Sequence, residues 1–133
     1  MRTFELERSM LTMGGTFYPT GYVFAMFPSL EDAENIATQL PADPPGKPAM
    51  LLPADTVLGS IVSTVGAADT PLPSAGTEAA TVRTYAELAS QGHCALMVYA
   101  DSAAETRVVM DVLRNSSCSC ARKYRMLVIE DLV

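Results

Sequence analysis

The chain has 133 residues, 49% of them hydrophobic and 18% charged. That size and apolar content suit one domain that buries its own core, and they exclude a disordered chain. Nine basic against fifteen acidic residues give a net charge of −6, which repels phosphate backbones and anionic bilayers, so neither nucleic acid nor a membrane is an expected partner.

Met1 to Arg8 carries acids early and no apolar stretch, so no secretory signal is expected there. No run approaches the ~20 apolar residues of a bilayer span. Phe4-Glu5-Leu6-Glu7 alternates as a short edge strand would, and Gly14-Gly15 breaks what precedes it. Phe17 to Gly21 is aromatic and bounded by turn residues. Tyr22 to Phe27 then reads as a strand, rich in aromatic and apolar side chains.

Ser29 is a good helix N-cap, and Asp32 three residues on completes a capping box. Ala33, Ile36, Ala37 and Leu40 recur at helical spacing, and Pro41 stops the helix. Met50-Leu51-Leu52 predicts a short buried strand ended by Pro53. From Asp55, the spacing of Val57, Leu58, Ile61, Val62 and Val65 predicts a second helix. The β-branched residues and Gly59 leave a strand as the alternative. Residues 66–76 read as a loop.

A third helix is predicted from about Thr77 to Gln91, stopped by Gly92. Cys94 to Ala100 is a third strand. Ser102 and Glu105 form a second capping box, opening a helix with Val108, Val109, Val112 and Leu113. A loop from Asn115 to Ser119 leads to a final strand, predicted at about Tyr124 to Ile129.

Two segments match in pattern. YVFAMFPSLEDAENIATQL followed by MLLPAD is echoed by ALMVYADSAAETRVVMDVLR followed by MLVIED. Ser29 and Ser102, Asp32 and Glu105, and Leu40 and Leu113 each stand 73 residues apart. The expectation is one α/β (α+β) domain over 1–133, a ferredoxin-like sandwich of two βαβ halves, at about 21–55 and 93–131. A helical pair is inserted over about 55–92. The strands at 22–27 and 94–100 are apolar without alternation, so both sheet faces should be covered. The capped helices cover one face. The inserted helices or a second subunit must cover the other, which makes a homo-oligomer an expected partner.

Several groups of residues are candidates for chemistry. Ser74, Gly76 and Thr77 lead into the third helix, whose first N–H groups favour an anion, and Arg83 adds charge. Ser74 or Thr77 acting only as an N-cap is the simpler account. His93 stands at a helix–strand junction, where it could be a general base or could donate to the last carbonyls of the preceding helix. Cys118, Cys120 and His93 have the donor types for zinc, but Cys-x-Cys is tight for it and free cytosolic thiols are the simpler account of the cysteines. Asp55, Asp101, Glu130 and Asp131 lie near strand ends, where they bind metal or cap turns. Phe17, Tyr18, Tyr22, Tyr99 and Tyr124 are expected to pack in a core or interface. A local basic patch is predicted around Arg122, Lys123 and Arg125. No motif implies a cofactor. The odd count of three cysteines leaves no closed disulfide framework and fits a reducing cytoplasm.

The runs PLPSAGTEAATVRTYAELASQGH, KYRMLVIEDL and FYPTGYVFAMFP resemble a group of uncharacterised bacterial, apparently proteobacterial, proteins. That resemblance implies no catalytic residues. The βαβ halves also resemble the ferredoxin-like module of general stress protein 17M-like domains. The function these observations support is a non-catalytic ligand-binding or regulatory module, homo-oligomeric, taking a small anion near residues 71–83. The alternatives are a small enzyme using His93 as acid or base, and a metal-binding role through Cys118, Cys120 and His93.

Overall fold

The computed structural model describes residues 2–4, 6, 10–11, 17–41, 47–62, 76–100, 102–125 and 129–132. Strand β1 is Arg2–Thr3, just before the position expected for an edge strand. Strand β2 (Tyr22–Phe27) is buried at all six residues. Ser29 ends its extension and caps helix α1 (Leu30–Gln39), its Oγ accepting from the Asp32 N–H at 3.2 Å. Strand β3 (Met50–Leu52) follows.

Pro53 then opens a short helix, α2 (Ala54–Thr56), which runs on as a π-helix over Val57–Ile61. The Val62 N–H reaches five residues back to the Val57 carbonyl, at 3.0 Å. This stretch is helical, as its spacing predicted, but wound in a wider, i→i+5 turn. Val57 and Ile61 are buried while Leu58 faces out. Val65 lies outside the described residues.

Helix α3 (Gly76–Ser90) leads to strand β4 (Cys94–Tyr99). Ser102 caps helix α4 (Ala103–Arg114), accepting from the Glu105 N–H at 3.1 Å. Both serines predicted to cap therefore do so, with the same geometry.

The chain's end departs from expectation. In place of one strand at about Tyr124 to Ile129 there are two, β5 (Cys120–Tyr124) and β6 (Ile129–Asp131), paired antiparallel. The strand that follows α4 is β5, whose sequence, CARKY, carries two cations. Residues 126–128, which the repeat matched to Leu51 and its neighbours, lie outside the described residues.

The six strands form one sheet in the order β1-β3-β4-β2-β5-β6. From β3 to β6 every neighbouring pair is antiparallel, while β1 runs parallel to β3. The protein is thus a mixed α and β fold around a largely antiparallel sheet. β2 is central, with Phe27 opposite Cys94 on one side and Met26 opposite Cys120 on the other.

Side chains alternate across this sheet into two apolar clusters. Val23, Ala25 and Phe27 point to the face covered by α1 and α4, where they meet Ala33, Ile36, Val109 and Leu113. Tyr22, Phe24 and Met26 point to the other face, against Val57 and Ile61 of the π-helix and Val82, Tyr85 and Ala89 of α3. Phe4, Met10, Phe17 and Tyr18 complete that second cover. Both faces are occupied, as the unalternating strands required, and the chain's own inserted helices and N-terminal residues supply the second cover. A bare sheet face, the reason for expecting a partner subunit, is not present among the described residues.

Four of the five aromatics expected to pack are buried, and Tyr99 is half-buried against Tyr22. At the centre, Tyr85 stacks on Phe24, and its hydroxyl stands 2.6 Å from that of Tyr124. Burial holds the Tyr85 phenol well above its ordinary value of 10.0, with Tyr124 beside it adding to the rise. Tyr124 is raised mainly by burial too, against the opposing pull of Tyr85's hydrogen bond and the Arg122 guanidinium. As pH rises above about 10, the unfolded chain loses phenolic protons that the folded chain keeps, so stability falls with pH there.

Tyr124→Phe should destabilise the fold by about 1–3 kcal/mol in urea titration, because the Tyr85 hydroxyl is left buried and unpaired. Adding Tyr85→Phe should restore part of that loss. A double variant as unstable as the sum of the singles would show that the hydroxyls act separately.

Candidate functional site

His93 is positioned by the way α3 ends. Gly92 adopts φ +91, a left-handed turn open to glycine at little cost. Its N–H donates to the Ala89 carbonyl at 2.9 Å, and the His93 N–H to the Leu88 carbonyl at 3.1 Å. These two bonds are the Schellman closure of a helix. The backbone of His93 thus caps α3, while the expectation had its side chain in that role. The half-buried imidazole does something else: its Nδ1 lies 2.6 Å from the Oγ of Ser119.

Ser119 is held just as firmly. It directly precedes β5, and its N–H donates to the Met26 carbonyl of β2 at 2.6 Å. The loop before it is tied down at each step. The Ser116 hydroxyl donates to the Leu113 carbonyl at 2.6 Å, and the Ser117 hydroxyl to Asp32 Oδ2 in the first turn of α1 at 3.1 Å. β4 and β5 both start at the end of the sheet where β2 stops. His93 and Ser119 therefore reach each other across the end of β2, on the rim from which α1 departs. Ser119 was not singled out in the sequence. It lies 26 residues from His93, and only the antiparallel pairing of β4 and β5 with β2 brings the two together.

The cysteines do not gather around this imidazole. Cys120 is buried in the cluster under α3, whereas Cys118 packs against the opposite cluster, with its Sγ 3.5 Å from the Leu113 carbonyl. Cys94 is buried, with its Sγ 3.8 Å from the Gly92 carbonyl. Among the described residues no group of three or more His, Cys, Asp or Glu side chains is placed to hold a metal ion.

The other expected site lies at the far end of α3. Gly76 opens that helix and Thr77 follows within it. Ser74 lies outside the described residues. Arg83 is exposed on α3, seven residues after Gly76, a spacing that returns to nearly the same stripe of the helix. The fifteen residues of α3 put its two ends about 21 Å apart. Gly76 and Thr77 therefore stand at one end of α3, and His93, just past its other end, belongs to a different part of the molecule.

The predicted basic patch is not a patch. Lys123 is only 4% exposed. Its ammonium donates to the Gly21 carbonyl at 2.9 Å and to the carbonyl of Ala100. Arg122 points to the opposite face, half-buried near the tyrosine pair, and Arg125 alone is exposed. The signal for a buried Lys123 was its two-residue spacing from Ala121, on the face that also takes Val23.

No protein-family model, curated protein or solved structure matches the chain. What can be said about function therefore rests on this geometry. Among the described residues no helix is long and apolar enough to cross a membrane.

Gly92→Ala should lower stability by about 1–2 kcal/mol in thermal or urea unfolding, since alanine is strained in the left-handed region. Gly59→Ala, within the π-helix and with open space where its Cβ would stand, should leave stability unchanged or raise it by up to ~1 kcal/mol. Equal losses at both glycines would show that backbone conformation at Gly92 is not what holds this junction.

Proposed function

We propose that this chain is a ligand-binding or regulatory module on a ferredoxin-like sandwich, and that it takes a small anion at the N-terminal end of α3. The strand order β3-β4-β2-β5, antiparallel throughout, supports the fold assignment. Each half runs strand, capped helix, strand, and the two halves interleave with α1 and α4 on one face. The earlier likeness to uncharacterised bacterial proteins includes the α3 segment and adds no site residue of its own.

One observation carries the binding assignment: α3 opens at Gly76, with Arg83 exposed two turns along nearly the same stripe. A helix of fifteen residues presents its first N–H groups, and the positive end of its dipole, at that point. A guanidinium on the same stripe adds a fork that matches phosphate or carboxylate. Because both faces of the sheet are closed by the chain itself, helix ends and rims are where a ligand can approach.

A cytoplasmic setting belongs to the same proposal and is compatible with three thiols that form no bridge. Self-association is part of it too, by way of the short outer strands β1 and β6 and with no role for a bare sheet face.

Titration of the full chain with inorganic phosphate, followed by backbone amide NMR, tests the binding reading. Progressive shifts are expected at Gly76 to Ala79, with affinity falling about tenfold in Arg83→Ala. Amides in that turn that do not move at millimolar phosphate would remove the anion site.

A further inference from the structure

The rim at the other end of α3 holds a second arrangement, independent of the anion reading and going beyond it. We propose that Ser119 and His93 form a nucleophile–base pair able to take up an acyl or phosphoryl group. Their polar atoms are 2.6 Å apart and the serine is exposed. That is the contact a serine needs to become a nucleophile, since its own proton must leave as it attacks.

Rigidity distinguishes this pair from two mobile surface side chains that happen to touch. His93 is fixed by the backbone closure at Gly92, and Ser119 by its N–H bond to Met26 in the central strand. Each directly precedes a strand that flanks β2, so the sheet sets the backbone positions of both. Such placement is what a positioned reaction requires.

The same rim carries the start of α1, whose dipole favours negative charge. α1 leaves β2 beside the pair, and Asp32 in its first turn holds Ser117, two residues before Ser119. Ser29 caps only the Asp32 N–H of that turn through its side chain. The Leu30 and Glu31 amides lie at the positive end of a ten-residue helix, the kind of preorganised dipole that stabilises such charge.

The chemistry balances without a cofactor. With Nε2 carrying the ring hydrogen, Nδ1 accepts the Ser119 proton as Oγ bonds to the carbonyl carbon of an ester. The bond from that carbon to the leaving oxygen breaks, and the leaving alkoxide takes the proton from His93. Water then attacks the acyl-serine in the same way, regenerating the hydroxyl and releasing the acid. The open rim fits a small, activated ester or acyl donor. With a fluorophosphonate the first half runs alone: the Oγ–P bond forms, fluoride leaves and the proton passes to His93.

The test is fluorophosphonate labelling of the full-length protein, read by peptide mass and by rate. One adduct is expected at Ser119, at least tenfold faster than any at the exposed Ser117 two residues away. Ser119→Ala should carry none, and His93→Gln, checked as folded by circular dichroism, should label at least tenfold more slowly. Release of nitrophenolate from 4-nitrophenyl acetate should fall in parallel in both variants. Labelling of Ser119 no faster than Ser117 in the unaltered protein, or a rate unchanged by His93→Gln, would overturn the assignment and leave the contact as a tie between two strand ends.

Discussion

The described residues are arranged around a strand that is buried along its whole length. β2 is buried at every residue, so it needs apolar cover on two faces and backbone partners on two sides. β4 and β5 supply the partners, α1 and α4 one cover, and the inserted helices with the N-terminal residues the other. An apolar strand of this kind stabilises only when all four are in place, which ties distant parts of the chain into one cooperative unit. The same constraint sets where chemistry can occur. With the faces sealed, reactive groups are left to the rims, and the Ser119–His93 contact sits on the rim where β2 ends.

Local signals carried a large part of this fold. The two serine caps were legible because their requirement is local: an acceptor oxygen and a residue three positions on. The two capped helices, the strands at 22–27, 50–52 and 94–99, and the length of α3 followed from periodicity and punctuation. β5 was missed for a physical reason. CARKY presents two cations where a buried strand should be apolar, and the tertiary structure accommodates them individually, Lys123 on backbone carbonyls and Arg122 beside the tyrosines. The apolar MLVI run nearby drew the strand assignment instead. The cover on the α3 face was half legible. Val57, Ile61, Val82 and Tyr85 show helical spacing, whereas Phe4, Met10, Phe17 and Tyr18 reach the same cluster from irregular backbone with no period to read.

The candidate sites divide along the same line. His93 could be noticed because it is the sole histidine, and its junction position was correct. Its partner could not be found, because Ser119 meets it only through strand pairing. Cys118 and Cys120, grouped with His93 on sequence, face opposite clusters. Residues two apart in sequence on a strand point the same way, but Cys118 precedes the strand and turns into the other layer. The lesson is specific: spacing predicts a shared face only within a regular element.

Lys123 has a consequence for how the sheet assembles. Its ammonium is satisfied at one place, by the carbonyls of Gly21 and Ala100 at the start of β2 and the end of β4. If β5 slid by one residue along β2, every side chain on it would change faces. Lys123 would enter the aromatic layer, and Tyr124 would lose Tyr85. Such a slip leaves a cation without acceptors and a phenol without its partner, at a cost of several kcal/mol. A residue that looks like a liability in a buried strand thus works as a key that fits one alignment, making mispaired sheets the unstable ones.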